Sequence, residues 1–165
     1  MPRLDLTGDV ADVALRDVTE ADLPVLFEHQ RDADATRMAA FVARDRGAFD
    51  AHWRKILDDP GVTAMAIVAD GVVAGNIGAW GTPGERLVGY WIGKEHWGKG
   101  VASRALALFL RVERARPLFA HVAKANVGSL RVLQKCGFVI AGEDDGSATA
   151  GVAELIMRYE ELPPP

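Results

Sequence analysis

The segment Gly93-Lys94-Glu95-His96-Trp97-Gly98-Lys99-Gly100-Val101-Ala102-Ser103 carries the clearest chemical signal in the chain. It places a glycine-bearing loop between a strand-like run and an apolar, helix-like run. A helix start offers up to four unpaired N–H groups and about half a positive charge, so an anion placed there satisfies donors and dipole together. Gly98 and Gly100 let a ligand approach the backbone. Ala102 and Ser103 are small enough to admit a bulky diphosphate, and Lys99 and Arg104 add charge of the right sign. Two familiar phosphate loops do not fit. The P-loop requires Ser or Thr after its lysine, where Gly100 stands. A dinucleotide fingerprint opening at Gly98 requires glycine where Ser103 stands, and no βαβ unit precedes it. The plain alternative is a glycine turn that only starts a helix.

A second constellation lies further along, in Asn126-Val127-Gly128-Ser129-Leu130-Arg131-Val132-Leu133-Gln134-Lys135-Cys136-Gly137-Phe138. Taken with Tyr90-Trp91-Ile92 ahead of the glycine loop, this pattern resembles the GNAT superfamily of N-acetyltransferases, especially its ribosomal-protein-alanine-acetyltransferase-like branch. The resemblance covers residues 60 to 160 well and the N-terminal third only in element order.

The resemblance implies acetyl-CoA as cosubstrate and direct acetyl transfer to a primary amine. The N–H groups of Gly98, Lys99, Gly100, Val101, Ala102 and Ser103, with Trp97 opening the loop, would hold the pyrophosphate. Trp91, Ile92 and Gly93 would pair with the pantetheine amides as an added strand does. A backbone N–H near Ile92 would polarise the thioester carbonyl, a role worth ~3 kcal/mol elsewhere. Asn126 would bond the pantetheine arm and Ser129 would protonate the departing thiolate. The acceptor would be a small-molecule amine or a protein N-terminus.

The chain departs from the family pattern in three places. Trp97 replaces the usual Gln or Arg, and the tyrosine of many members falls at Leu133. Arg86 and Leu87 occupy positions where members often carry a glutamate base. Glu85, one step away, and His121, on the strand before Asn126, are the nearest titratable candidates, imidazole being suited to proton transfer near neutral pH. An exposed turn glutamate and a packed or exposed strand histidine are the plainer readings of the two. A catalytically weak acetyl-CoA sensor is the alternative function. Cys136 reads as a small packed residue.

The elements that must position these residues follow from periodicity. Val10–Val18 reads as a strand. Thr19 with Asp22 caps a helix through about Gln30, with Pro24 tolerated because it lies early. Helical stretches follow at residues 33–41 and 48–57, whose Met38, Phe41, Phe49 and Trp53 are either core or pocket walls. Residues 63–69 and 72–80 flank Asp70-Gly71, a strong hairpin signal, and 86–92 adds a third strand. Residues 101–114 form a strongly apolar helix, 118–123 a strand, 127–135 a helix ended by Gly137, and 138–141 and 152–159 the last strands. The order predicts an α+β fold: one mixed, mostly antiparallel sheet of about seven strands with helices on both faces.

Length and composition agree. One hundred and sixty-five residues, 49% hydrophobic and 25% charged, make a single globular domain over 1–162, with 163–165 a disordered proline tail. The chain shows neither a membrane-length apolar run nor a leader, which places it in the cytoplasm; a monomer or homodimer is expected. One cysteine and four scattered histidines (29, 52, 96, 121) give no metal-cage spacing. The net charge of −4 opposes nucleic-acid binding, yet residues 94–135 hold nine Lys and Arg against Glu95 and Glu113. Within residues 1–60, thirteen Asp and Glu against eight Lys and Arg mildly favour a cationic acceptor.

Overall fold

The computed structural model describes residues 11–39, 42–146 and 151–161; Val10, Phe41 and residues 162–165 lie outside them. Seven strands form one sheet: β1 (Val13–Asp17), β2 (Thr63–Ala69), β3 (Val72–Trp80), β4 (Arg86–Ile92), β5 (Leu118–Ala123), β6 (Val139–Asp144) and β7 (Glu154–Tyr159), in the order β1-β2-β3-β4-β5-β7-β6. Every neighbouring pair is antiparallel except β4 and β5. This is the predicted α+β architecture. The β2–β3 hairpin turns at Asp70-Gly71 with positive φ at both residues, the geometry that matches the twist of its strands.

Five helices cover the sheet: α1 (Leu23–Arg31), α2 (Ala33–Ala39), α3 (Arg46–Asp58), α4 (Val101–Val112) and α5 (Val127–Lys135). Side chains alternate across a strand, so each strand feeds two cores. Val101, Ala105, Leu106 and Phe109 of α4 bury against Ile77, Val88, Ile92 and Leu118, with Leu133 of α5 in the same cluster. On the opposite face Leu23 and Leu26 of α1 and Phe49 and Trp53 of α3 pack around Ala66. Phe49 and Trp53 are therefore core, whereas Met38 is exposed.

Several boundaries differ from the sequence expectation for identifiable reasons. Residues 19–30 do not form one helix. A short 3-10 turn at Glu20–Asp22 precedes α1, and Pro24 sits in the first turn of α1, where its missing N–H has no intrahelical partner to lose. α3 begins two residues early because the Asp45 carboxylate accepts from Ala48 N at 2.8 Å. A bulge between Ile140 and Gly142 lets β6 continue pairing with β7 out to Asp144.

The feature that matters for function is the end of the β4–β5 ladder. These strands pair only at Arg86–Leu118 and Leu87–Phe119, leaving the facing edges beyond that point unpaired with each other. Gly93 N donates to Ala74 O at 2.8 Å, so the odd-numbered residues of β4 bond to β3. By antiparallel alternation Val88, Tyr90 and Ile92 direct their backbone groups the other way, toward β5.

Candidate active site

A cavity of about 430 Å³ opens where β4 leaves β5, walled by α2, the 96–100 loop and the starts of α4 and α5. The glycine loop shapes one end. Gly98 and Gly100 adopt φ of +76° and +75°, and a Cβ at either would meet no atom within 4 Å, so the backbone there is strained for other residues and open to a ligand. α4 starts at Val101 without a side-chain cap, and its first i→i−4 bond is Arg104 N to Gly100 O at 3.1 Å. The N–H groups of Val101, Ala102 and Ser103 thus have no acceptor within their own helix. Twelve residues of α4 align their dipoles behind that end.

Trp97 has a visible role. Its indole Nε1 donates to Ile92 O at 3.0 Å, fixing the loop to the end of β4. On the other side of the sheet Trp91 Nε1 donates to His29 O of α1 at 3.2 Å. Asn126 caps α5, its side-chain oxygen accepting from Ser129 N at 3.2 Å, which leaves its amide N–H₂ for other partners.

Trp91, Ile92, Trp97, Gly98, Gly100, Val101, Ala102, Ser103, Asn126 and Ser129 line the cavity. Gly93 and Lys99 do not: Gly93 is buried beside His29, and Lys99 is exposed. Glu85 and His121 also stay off it. Glu85 is exposed in the Gly81–Arg86 turn, on the closed side of the β4–β5 split. His121 lies beyond the split on β5, its Nδ1 3.3 Å from Glu154 Oε1 of β7.

Sequence reasoning passed over Tyr90. Its hydroxyl lies 2.7 Å from Ser129 Oγ, joining β4 to α5 across the cavity wall. Burial pushes the Tyr90 pKa up to about 12, against the lowering effect of Ser129, so the phenol stays protonated across the physiological range. The available signal was period two, since Tyr90 shares a strand face with Ile92. Cys136 donates weakly to Ser103 O and burial raises its thiol pKa, which fits a packing role. The positive segment is partly consumed internally: Lys94 pairs with Asp34, Arg104 donates to Ala11 O, Arg116 to Leu110 O, and Lys124 to Glu143.

The family model for the acetyltransferase (GNAT) domain matches residues 12–139. The chain belongs to that family, and it is an acetyltransferase. Solved structures with the same fold include the spermidine N-acetyltransferase of Vibrio cholerae in complex with CoA and spermine (16% identity, TM-score 0.73, 88% of this chain and 92% of that one). A GNAT-family acetyltransferase from Bacillus anthracis aligns at 17% identity and TM-score 0.76 over 91% and 96% of the two chains. RimL, a ribosomal-protein alpha-N-acetyltransferase in complex with coenzyme A, aligns at 16% and 0.76 over 91% and 94%. No curated protein sequence matches the chain. Among the described residues no helix is long and apolar enough to cross a membrane.

Proposed function

We propose that this protein moves an acetyl group from acetyl-CoA directly to a primary amine of a small molecule or a protein N-terminus. The observation that carries this reading is the hydrogen-bonded Tyr90–Ser129 pair in the wall of a cavity whose other end is the open N-terminus of α4. The diphosphate lies on the N–H groups of residues 98–103, and pantetheine runs along the unpaired edge of β4 with Asn126 beside it. Ile92 N–H, directed into the split, stabilises the oxyanion as the amine nitrogen bonds to the thioester carbon. The C–S bond then breaks, the thiolate takes a proton from Ser129 Oγ, which Tyr90 orients, and the surplus proton on the new amide nitrogen restores the Ser129 hydroxyl.

An alkylammonium must first lose a proton, since its ordinary pKa is ~10.4. His121, reached through a water relay because it does not line the cavity, is the better base in this reading. It stands on the open stretch of β5 with Glu154 holding Nδ1, while Glu85 stands on the wrong side of the split. Membership of the ribosomal-protein-alanine-acetyltransferase-like branch, in line with the fold shared with RimL, and a cytoplasmic single domain over 1–162 complete the proposal. A second reading, a CoA-binding sensor with weak catalysis, draws support from the cavity lining, which among the described residues holds no Asp or Glu. A screen of amine classes with acetyl-CoA, read by free-thiol release, decides between them. Turnover above hydrolysis for one class supports the enzyme; tight CoA binding with no turnover for any class supports the sensor.

A further inference from the structure

His29 and His96 are 67 positions apart in sequence, and the fold brings them together with Glu95. One ligand-capable atom from each of the three lies within 4.8 Å of the other two. His29 is 4% exposed, and among the described residues neither of its ring nitrogens has a hydrogen-bond partner. Burying an imidazole with neither nitrogen hydrogen-bonded is unfavourable and uncommon, so a buried histidine in this state points to a ligand. Gly93 keeps the space beside it clear: a Cβ there would stand 2.6 Å from His29 Nε2 and 2.8 Å from Glu95 Oε1.

We propose that His29, Glu95 and His96 bind one divalent transition-metal ion of the zinc class. Two imidazoles and a carboxylate are a borderline donor set suited to such ions, and three protein ligands leave a position for water. Tetrahedral coordination with bonds of about 2.0–2.1 Å sets ligand atoms about 3.3 Å apart. Closing from 4.8 Å falls to Glu95, which is exposed, and His96, which is half-buried, while His29 stays fixed in α1. The ion ties α1 to the 93–97 segment, which leads from the end of β4 into the glycine loop. Its effect is to hold that segment in place; it takes no part in acetyl transfer.

The test uses the full chain without CoA or amine, titrated with Zn²⁺ by calorimetry and with Co²⁺ by visible absorption. The expected result is one ion per chain, a raised Tm, and at least tenfold weaker binding in both Glu95→Gln and His96→Gln. His52→Ala on α3 leaves binding unchanged. His29→Gln, at a buried position, is read only after circular dichroism shows it folded, and the two loop variants decide the matter without it. No saturable binding near one ion per chain, or binding that Glu95→Gln and His96→Gln leave intact, overturns the proposal. Metal binding is read without CoA, so it stands or falls separately from the acetyltransferase mechanism.

Discussion

The Tyr90 hydroxyl and Ser129 Oγ, 39 positions apart in sequence, stand 2.7 Å apart and join strand β4 to the first turn of α5. Either oxygen can be the donor, so the pair holds two hydroxyl protons in the cavity wall, where the proposed mechanism has the thiolate depart. A group that acts mainly in the transition state lowers kcat when removed and leaves cofactor affinity nearly intact. Ser129→Ala is expected to lower kcat by ~10²-fold with CoA affinity unchanged within about twofold. Tyr90→Phe is expected to cost less, and the double variant no more than Ser129→Ala alone, because both act through one proton. Steady-state kinetics with the true amine, together with CoA calorimetry, checks this; unchanged turnover in Ser129→Ala removes it from catalysis.

The shape of the glycine loop was legible in the sequence because it is local: glycines, small residues and a helix start need only their neighbours to announce an open turn ahead of α4. The strand bounds of residues 63–69, 72–80, 86–92 and 118–123 were equally legible, since period two and the Asp70-Gly71 turn are short-range signals. Tyr90 was not, because its partner lies on α5 and nothing near residue 90 specifies that contact. The approach of His29 to His96 was hidden for the same reason. Glu85 looked adjacent to the reaction by count along the chain, but the ladder at Arg86 and Leu87 puts it behind the split.

Gly100 tests the anion site. CoA contacts the folded state and stabilises it by about 2.7 kcal/mol at a hundredfold excess over Kd, or about 5–10 °C in Tm for a domain of this size. Gly100→Asp puts a carboxylate at the start of α4, where the proposed binding mode seats the pyrophosphate, on a residue with φ +75°. The CoA-induced shift is expected to vanish in differential scanning fluorimetry. A shift kept in full would place the diphosphate elsewhere.

Arg86 explains why no glutamate occupies its position. Its guanidinium is 12% exposed, pairs with Glu113 at 2.8 Å, and donates to the carbonyls of Gly61 and Gly81. The side chain locks the end of α4 to the β3–β4 turn, which keeps the closed end of the split closed. Arg86→Met leaves the Glu113 carboxylate, 10% exposed, with its charge uncompensated. A loss of about 3–5 kcal/mol in urea unfolding is expected, and Glu113→Gln in the same background is expected to restore part of it.

Asp22 sets the acid limit. Hydrogen bonds from Arg16 at 2.8 and 2.9 Å and from Thr19 N at 2.8 Å lower its pKa to about 2 in the folded chain. A carboxylate depressed by folding adds stability above its unfolded pKa of ~3.9 and loses it as pH falls toward 2. Arg16 is half-exposed, so the contribution is about 1–2 kcal/mol. Asp22→Asn is expected to destabilise the protein by about that much at pH 7 and by much less at pH 2. Chemical denaturation at the two pH values measures the difference; an equal loss at both assigns Asp22 a packing role.

The base is the last matter, and it separates enzyme from sensor. His121 stands on β5 beyond the last β4–β5 pair, held through Nδ1 by Glu154, with Nε2 left for a proton. An enzyme that uses it shows a rising limb in kcat/KM against pH, which reports the free-enzyme base or the amine. In His121→Gln that limb is expected to disappear and kcat/KM to fall by ~10²-fold. Glu154→Gln, whose amide oxygen can still accept from Nδ1, is expected to cost less in kcat/KM than His121→Gln. Glu85→Gln is expected to change neither rate nor profile, since its turn lies behind the paired end of the split. A limb that survives all three substitutions and follows the pKa of the amine offered assigns proton loss to water or to the substrate itself. A limb lost only in Glu85→Gln would mean that the β4–β5 ladder opens further than Leu87 when substrate binds.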